Sequence, residues 1–224
     1  MVDGAGLFVG WYDADPDFLP GFNQWHSSEH MPERNRLPGF VSAQRYRSLT
    51  RENAYCVLYR TEVPEVFVSE PYLEVLNNPT SWTQRMMPGL LNLNRTLCKV
   101  VCSSGQPGCG GHLSTARPAH SDVDGSLDIC LLERRFADIE GEMQGLARLE
   151  LAVVDQVATT TNTNERALRK SMDDNSDWVI LVEGYAGETC CSELMTSVLK
   201  SLRMSVVDEA GLEIDHFRLD HAIF

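Results

Sequence analysis

The sequence predicts an α+β protein made of two similar halves, and two observations support this fold class. Segments with the apolar pattern of strands and segments with the apolar period of helices follow each other in the order βαββαβ, twice along the 224 residues. Residues 103–125 are rich in Gly, Ser and Pro and lack any apolar period, which predicts a linker. We therefore expect a first unit at 1–102, a linker at 103–125 and a second unit at 126–224.

The first half alternates apolar strands with two helices. Pro32 is expected to end the first helix, because proline lacks the amide hydrogen and disfavours helical geometry in the residue before it. A Pro-Gly turn at Pro38 and Gly39 then leads into the second strand. The predicted elements are a strand at 6–12, a helix at 18–31, strands at 40–48 and 54–61, a helix at 65–77 and a strand at 93–102.

The second half repeats this order more loosely. Its predicted elements are a strand at 126–134, a helix at 136–146, strands at 149–160 and 178–185, a helix at 192–205 and a strand at 213–224. Each half thus resembles a ferredoxin-like unit. Because a lone four-stranded sheet leaves one face exposed, we expect the two units to pack sheet on sheet as a closed barrel with the helices outside.

Composition narrows the possible partners and cofactors. A formal net charge of −13 would repel a phosphate backbone, so we expect no nucleic-acid partner. No apolar run is long enough to span a membrane and the N-terminus lacks a signal pattern, so we expect a cytoplasmic protein with no membrane partner. The seven cysteines, mostly in apolar surroundings, predict reduced thiols. Motifs for nucleotides, an esterase nucleophile and covalent heme are missing, which favours cofactor-independent chemistry.

The segment 22–40, FNQWHSSEHMPERNRLPGF, carries the densest group of reactive side chains. His26 and His30 are four residues apart and so share one face of a helix. The spelling HSSEH also matches the zinc motif H-x-x-E-H, but the stop at Pro32 and the lack of an obvious third ligand argue against zinc. We predict His30 as a general acid/base, since its ordinary pKa is close to neutral pH. The alternative is a histidine that only meets the C-terminal end of the helix dipole.

Other candidates surround this pair. His26, Glu29 and Tyr46 are predicted to assist catalysis, and the substrate is predicted to contact Arg45, Trp25, Arg34, Tyr12 and Phe22. Arg45 and Tyr46 are consecutive on a strand and so face opposite sides of the sheet; which of them faces the pocket stays open. For the aromatic residues the alternative is packing in the core, and for Arg34 it is a solvated ion-pair cluster.

The helix ending in Glu29-His30-Met31-Pro32-Glu33-Arg34, the following LPGF and the Arg45-Tyr46 strand together resemble the dimeric α+β barrel superfamily, and within it the EthD-like proteins. This resemblance implies a pocket between sheet and helices, lined by the helix-borne histidine. The corresponding helix of the second half, FADIEGEMQGL, has no histidine. We therefore expect one functional pocket, in the first half, and a degenerate second unit.

The expected function is that of a small-molecule enzyme. The resemblance and the histidine pair favour a cofactor-independent lyase or isomerase acting on an oxygenated aromatic-derived or lactone-like metabolite. A cofactor-free monooxygenase of phenolic or polyketide substrates is the first alternative, and a non-catalytic small-molecule binding protein is the second. Dependence on a divalent metal or heme, and assembly as a homodimer, remain open alternatives.

Overall fold

Residues 4–105, 109–118, 136, 144–170, 173–201 and 211–224 are described by a computed structural model. Within these ranges eight antiparallel strands close into a barrel. The strands are β1 (Gly6–Ala14), β2 (Phe40–Ser48), β3 (Ala54–Thr61), β4 (Leu90–Gly105), β5 (His112–Pro118), β6 (Leu146–Val154), β7 (Trp178–Gly184) and β8 (Leu212–Ile223). The prediction of an α+β protein with a closed barrel is confirmed.

Strand order shows how the barrel closes. Around the barrel the strands run β1-β3-β2-β8-β5-β7-β6-β4, and β4 pairs back onto β1. The first four strands thus lie in the order β4-β1-β3-β2, and the last four lie in the corresponding order β8-β5-β7-β6. Two junctions join these groups, β2 with β8 and β4 with β6.

Helices cover the outer face of the barrel. They are α1 (Leu19–Trp25), α2 (Met31–Asn35), α3 (Glu70–Asn77), α4 (Ser81–Met86), α5 (Gln156–Thr160), α6 (Asn164–Ala167) and α7 (Glu188–Ser201). Short 3-10 turns at Pro64–Val68 and Met87–Gly89 precede α3 and β4 respectively. In the part of the chain that is described, no helix is both long and apolar enough to cross a membrane.

Because successive side chains of a strand point to opposite faces, the barrel has one core inside it and another between its outer face and the helices. On β3, Cys56 and Leu58 point into the barrel, where they join an apolar cluster that includes Trp11 and Phe217. The intervening residues of β3, such as Val57, point outward and pack under α1 and α2. A separate outer cluster lies under α7. The barrel therefore has a filled interior, and space for a ligand must lie elsewhere.

The prediction that Pro32 ends the first helix is wrong. The chain runs from α1 through a π-helical turn at His26–His30 directly into α2. In the widened turn the Met31 amide donates to the carbonyl of His26, five residues back. Pro32 then lies in the first turn of α2, where a missing amide hydrogen is tolerated.

The segment predicted as a linker, 103–125, also differs from the prediction. It contains the end of β4 and all of β5, His112–Pro118. Its small polar residues are buried with partners: the Trp11 indole donates to Thr115 at 3.1 Å, and the Ser114 hydroxyl lies 2.7 Å from His216. Because its Ser and Thr side chains have hydrogen-bond partners, β5 can be a buried strand although its composition is typical of a loop.

The remaining differences are local. The predicted strand at 149–160 ends at Val154, because the Asp155 carboxylate accepts from the Ala158 amide and starts α5. The helix α4, Ser81–Met86, was not predicted. The predicted strand at 126–134, most of the helix at 136–146 and the end of the helix at 192–205 lie outside the described residues.

One end of the barrel interior holds an ionic cluster. The Arg60 guanidinium, 1% exposed, donates to Glu150 at 2.7 Å, to Glu183 at 2.6 Å and to Gln44 at 2.8 Å. Arg148 lies 4.0 and 3.9 Å from the same two carboxylates. Arg60 on β3 thus bridges the first half to β6 and β7 of the second.

Replacement of Arg60 tests this bridge. Arg60→Met leaves two buried carboxylates with Arg148, at about 4 Å, as the remaining cation beside them in the described residues, and we expect a loss of about 3–5 kcal/mol in the free energy of unfolding. Urea denaturation provides the measurement. The matched control is Arg51→Met, because Arg51 is 47% exposed in its surface pairs and should contribute at most about 1 kcal/mol. Equal losses in the two variants would contradict the bridging role.

Candidate active site

A small cavity lies between the outer face of β1, β3 and β4 and the helices that cover it. Its volume is ≈ 50 Å³. The helical side contributes His26, His30 and Arg34, and the strands contribute Tyr12, Tyr59 and Arg95. An apolar cavity of about 150 Å³ holds benzene, so a ring-sized ligand requires the walls of this cavity to move apart.

His26 is held as a neutral imidazole. Its Nδ1 lies 3.2 Å from a guanidinium nitrogen of Arg45, and arginine can only donate hydrogen bonds. Nδ1 must therefore accept, which places the ring hydrogen on Nε2. Arg45 itself is anchored by Asp220 of β8, at 2.8 Å from Nε. Burial, followed by the charges of Arg45 and Arg34, lowers the pKa of His26 well below 6.5.

His30 is buried, and its Nδ1 has no hydrogen-bond partner among the described residues. Its ring lies 4.4 Å from that of Trp25 and 5.2 Å from that of His26, between centroids. Burial, and then the charge of Arg34, lowers the pKa of His30 well below 6.5. The predicted pairing of the two histidines on one helical face is thus observed, and both rings are neutral near pH 7.

Two tyrosines from the sheet complete the polar lining. The hydroxyl groups of Tyr12 and Tyr59 are buried and, like Nδ1 of His30, have no hydrogen-bond partner in the described structure. Burial raises the pKa of both phenols, so both remain neutral O–H donors. An unpaired buried polar group costs about 1–3 kcal/mol, so three around one cavity indicate a site shaped for a ligand.

The second half of the chain supplies part of the wall. Arg34 of α2 forms a buried ion pair with Glu165 of α6 and also donates to Glu33. Arg169, which lines the same cavity, pairs with Asp173. The Arg34 guanidinium predicted to bind substrate is thus already engaged by carboxylates, because α6 packs across it.

Three other predicted residues have different surroundings. Tyr46 points into the barrel interior, where its hydroxyl lies 3.4 Å from Glu183, because it alternates with Arg45 along β2. Arg45 is therefore the one that faces the histidines. Glu29 accepts hydrogen bonds from Thr80 and Thr83, which tie the π-helical turn to α4.

Two aromatic residues predicted to bind substrate act in packing around the histidines. The Phe22 ring stacks on His26 at 5.6 Å between centroids, and Trp25 donates its indole hydrogen to Thr83 at 3.2 Å. Both side chains are fully buried and neither lines the cavity. They orient the imidazoles and do not border the space for a ligand.

Sequence reasoning missed Tyr59, Arg95, Glu165 and Arg169. Tyr59 had a signal, since it lies on β3 two and four residues from the outward-facing Val57 and Tyr55. Glu165 and Arg169 had none, because they approach Arg34 only after the barrel closes. As for metals, no group of three or more His, Cys, Asp or Glu residues suited to an ion occurs in the described ranges.

Comparison with known proteins gives likenesses in structure only. No family model matches this chain, and no curated protein matches it in sequence. A solved anthrone oxidase-like protein is similar with a TM-score of 0.61 at 11% identity, over 99% of this chain and 93% of that one. A protein from Lactobacillus acidophilus, provisionally named a monooxygenase, has a TM-score of 0.59 at 6% identity, over 98% and 95%.

A third likeness is to a variant of chlorite dismutase from Candidatus Nitrospira defluvii, with a TM-score of 0.55 at 9% identity, over 99% of this chain and 92% of that one. At such identities the likenesses concern the fold alone. The chain shares with these proteins a mixed α+β fold, which in this chain is built on an eight-stranded antiparallel barrel.

Proposed function

We propose that this cavity is the active site of a small-molecule enzyme in which neutral His30 removes a proton from an oxygenated, aromatic-derived or lactone-like substrate. The observation that carries the proposal is the convergence of three unpaired polar atoms, Nδ1 of His30 and the hydroxyls of Tyr12 and Tyr59, on one cavity. A neutral imidazole can accept a proton, and neutral phenols can donate hydrogen bonds to the oxygen on which negative charge develops.

The proposed step is a proton transfer with no change of oxidation state. The C–H bond beside a carbonyl breaks, its proton goes to Nδ1 of His30, and the electron pair forms an enolate. Return of the proton to a different carbon gives an isomer. Expulsion of a leaving group from the enolate is instead an elimination, the reaction of a lyase. His26, whose Nδ1 accepts from Arg45, lies beside His30 as a second neutral imidazole.

A cofactor-free monooxygenase is the second candidate, favoured by the aromatic lining of the cavity and by the names of two similar structures. Here the same anion reacts with dioxygen. A CH₂ group becomes a carbonyl that keeps one oxygen atom, and the other oxygen leaves as water with the two hydrogens. Oxygen uptake during turnover separates this reaction from an isomerisation. Elemental analysis and a visible spectrum of the purified protein test whether either reaction needs a metal or heme.

We also propose that the chain consists of two tandem ferredoxin-like units, related to EthD-like proteins, of which only the first bears this chemistry. Support comes from the equal strand order of the two groups, β4-β1-β3-β2 and β8-β5-β7-β6. The histidine pair lies under the first sheet, whereas the described outer face of the second sheet carries an apolar cluster with the Ser114–His216 pair and no second pair of histidines.

Replacement of His30 tests the base. Incubation with a panel of hydroxylated aryl ketones and lactones in deuterated water should give enzyme-dependent exchange of C–H for C–D, followed by proton NMR. We expect His30→Gln to lower the exchange rate by about 10²–10⁴-fold, because the general base is lost. His112→Gln on β5 is the matched control and should exchange as the wild type does.

Two outcomes would count against the enzyme. Exchange that persists in a folded His30→Gln variant would remove His30 from the reaction. Tight binding of a panel member without exchange, oxygen uptake or turnover would favour a binding protein instead.

The neutral histidines predict a pH dependence of stability. The pKa of both His26 and His30 lies well below 6.5 in the fold, whereas the unfolded chain takes up these protons near 6.5. The unfolded state then binds more protons just below pH 6.5, so stability falls as pH decreases, by up to about 1.4 kcal/mol per pH unit for each histidine. Urea denaturation between about pH 8 and pH 5 measures this slope. Each single Gln variant should lose part of it, and an unchanged slope in both would show that the histidines are not neutral.

A further inference from the structure

We propose that the occupant of this cavity carries a carboxylate or similar anionic group, and that Arg95 of β4 binds it. The inference rests on the proposed function in one respect, that the same cavity receives the substrate. Arg95 lies on the outward face of β4, is 9% exposed and lines the cavity. It has no part in the proton transfer described above.

The first step of the argument is the charge around the cavity. Four guanidinium groups surround it or its second-half wall, those of Arg34, Arg95, Arg166 and Arg169. Three carboxylates face them: Glu165 and Glu33 pair with Arg34, and Asp173 pairs with Arg166 and Arg169. One positive charge is left over.

That charge belongs to Arg95. Across the described ranges no carboxylate lies within ion-pair distance of its guanidinium. Its contacts are the carbonyl of Thr159 at 3.0 Å and the ring of Phe8, 5.6 Å from the guanidinium carbon. Arg166 donates to the same Thr159 carbonyl at 3.3 Å, so a second cation shares this acceptor.

A buried cation without a counter-ion is costly, and proteins normally pair it or place it against a ligand. Asp174, whose backbone carbonyl accepts from the Arg95 amide at 2.8 Å, does not compensate the Arg95 guanidinium, because its side chain is exposed and lines a separate cleft at the end of the barrel. Since the unpaired groups of Tyr12, Tyr59 and His30 border the same space, an anion at Arg95 would carry the reacting part of a substrate toward them.

Paired acids and amides test the inference without any turnover. The probes are acetate against acetamide and 2-hydroxybenzoate against 2-hydroxybenzamide, two sizes measured by calorimetry on the wild-type chain. We expect at least one acid to bind roughly 10- to 100-fold more tightly than its amide, the range of a charged hydrogen-bonded pair. Arg95→Gln should abolish this preference, and Arg95→Lys should keep part of it.

Controls distinguish a binding role from a structural one. Arg85→Gln removes an exposed arginine of α4 and should leave the preference unchanged. If Arg95 serves a ligand, Arg95→Gln without ligand should be as stable as the wild type or more so, and should lose only the stabilisation that the acid confers. Lower stability of ligand-free Arg95→Gln with an unchanged preference would overturn the proposal.

Failure of this inference and failure of the proposed function give different results. If no acid binds better than its amide, the anion site is wrong, whatever the exchange rate of His30→Gln. If the acid preference depends on Arg95 but no proton exchange or oxygen uptake is found, the anion site stands and the enzyme does not. Should Arg95→Gln fail to fold, the comparison of Arg95→Lys with wild type decides.

Discussion

The arrangement around the histidines depends on a bulge in the last strand. Opposite Arg45 and Tyr46 of β2, β8 places His221 and Leu219, so that Asp220 is an extra residue between them. Bulges re-aim side chains, and here the Asp220 carboxylate reaches Arg45. Arg45 thereby presents a fixed donor to His26 and determines its tautomer. A single extra residue at the junction of the two halves thus sets the tautomer of His26.

The π-helical turn supplies the second condition. It adds width to the helix just where both histidines lie, and its carbonyl at His26 accepts from Met31. Glu29 within the turn binds Thr80 and Thr83, so α4 braces it from outside. Such turns are rare in proteins and occur often at functional sites. The brace explains how the turn persists next to Pro32.

Some of the fold could be predicted because strong turns bound clear patterns. β2 and β3 were predicted at 40–48 and 54–61 and have those bounds: β2 follows the Pro38-Gly39 turn, and β3 follows Asn53, whose φ is +60°. β5 could not be predicted, since its Ser114 and Thr115 are buried by partners from distant strands. The continuation of the helix through Pro32 could not be predicted either, because no residue composition is typical of a π-helical turn.

The site was predictable only in its local part. His26 and His30 share a helical face by spacing alone, and the structure brings their rings to 5.2 Å. The choice between Arg45 and Tyr46 needed the direction in which the barrel closes. Glu165 is 131 residues from Arg34, and no local pattern connects such positions.

The contribution of α6 to the wall has a consequence for concentration. When a pocket is shared between separate subunits, dilution takes it apart, and its occupancy follows the dissociation constant of the pair. Here the ion pair of Arg34 with Glu165 joins α2 and α6 of one chain. Because the two helices are covalently connected, they meet at a high effective concentration. This part of the cavity wall therefore forms in every folded molecule, whatever the protein concentration.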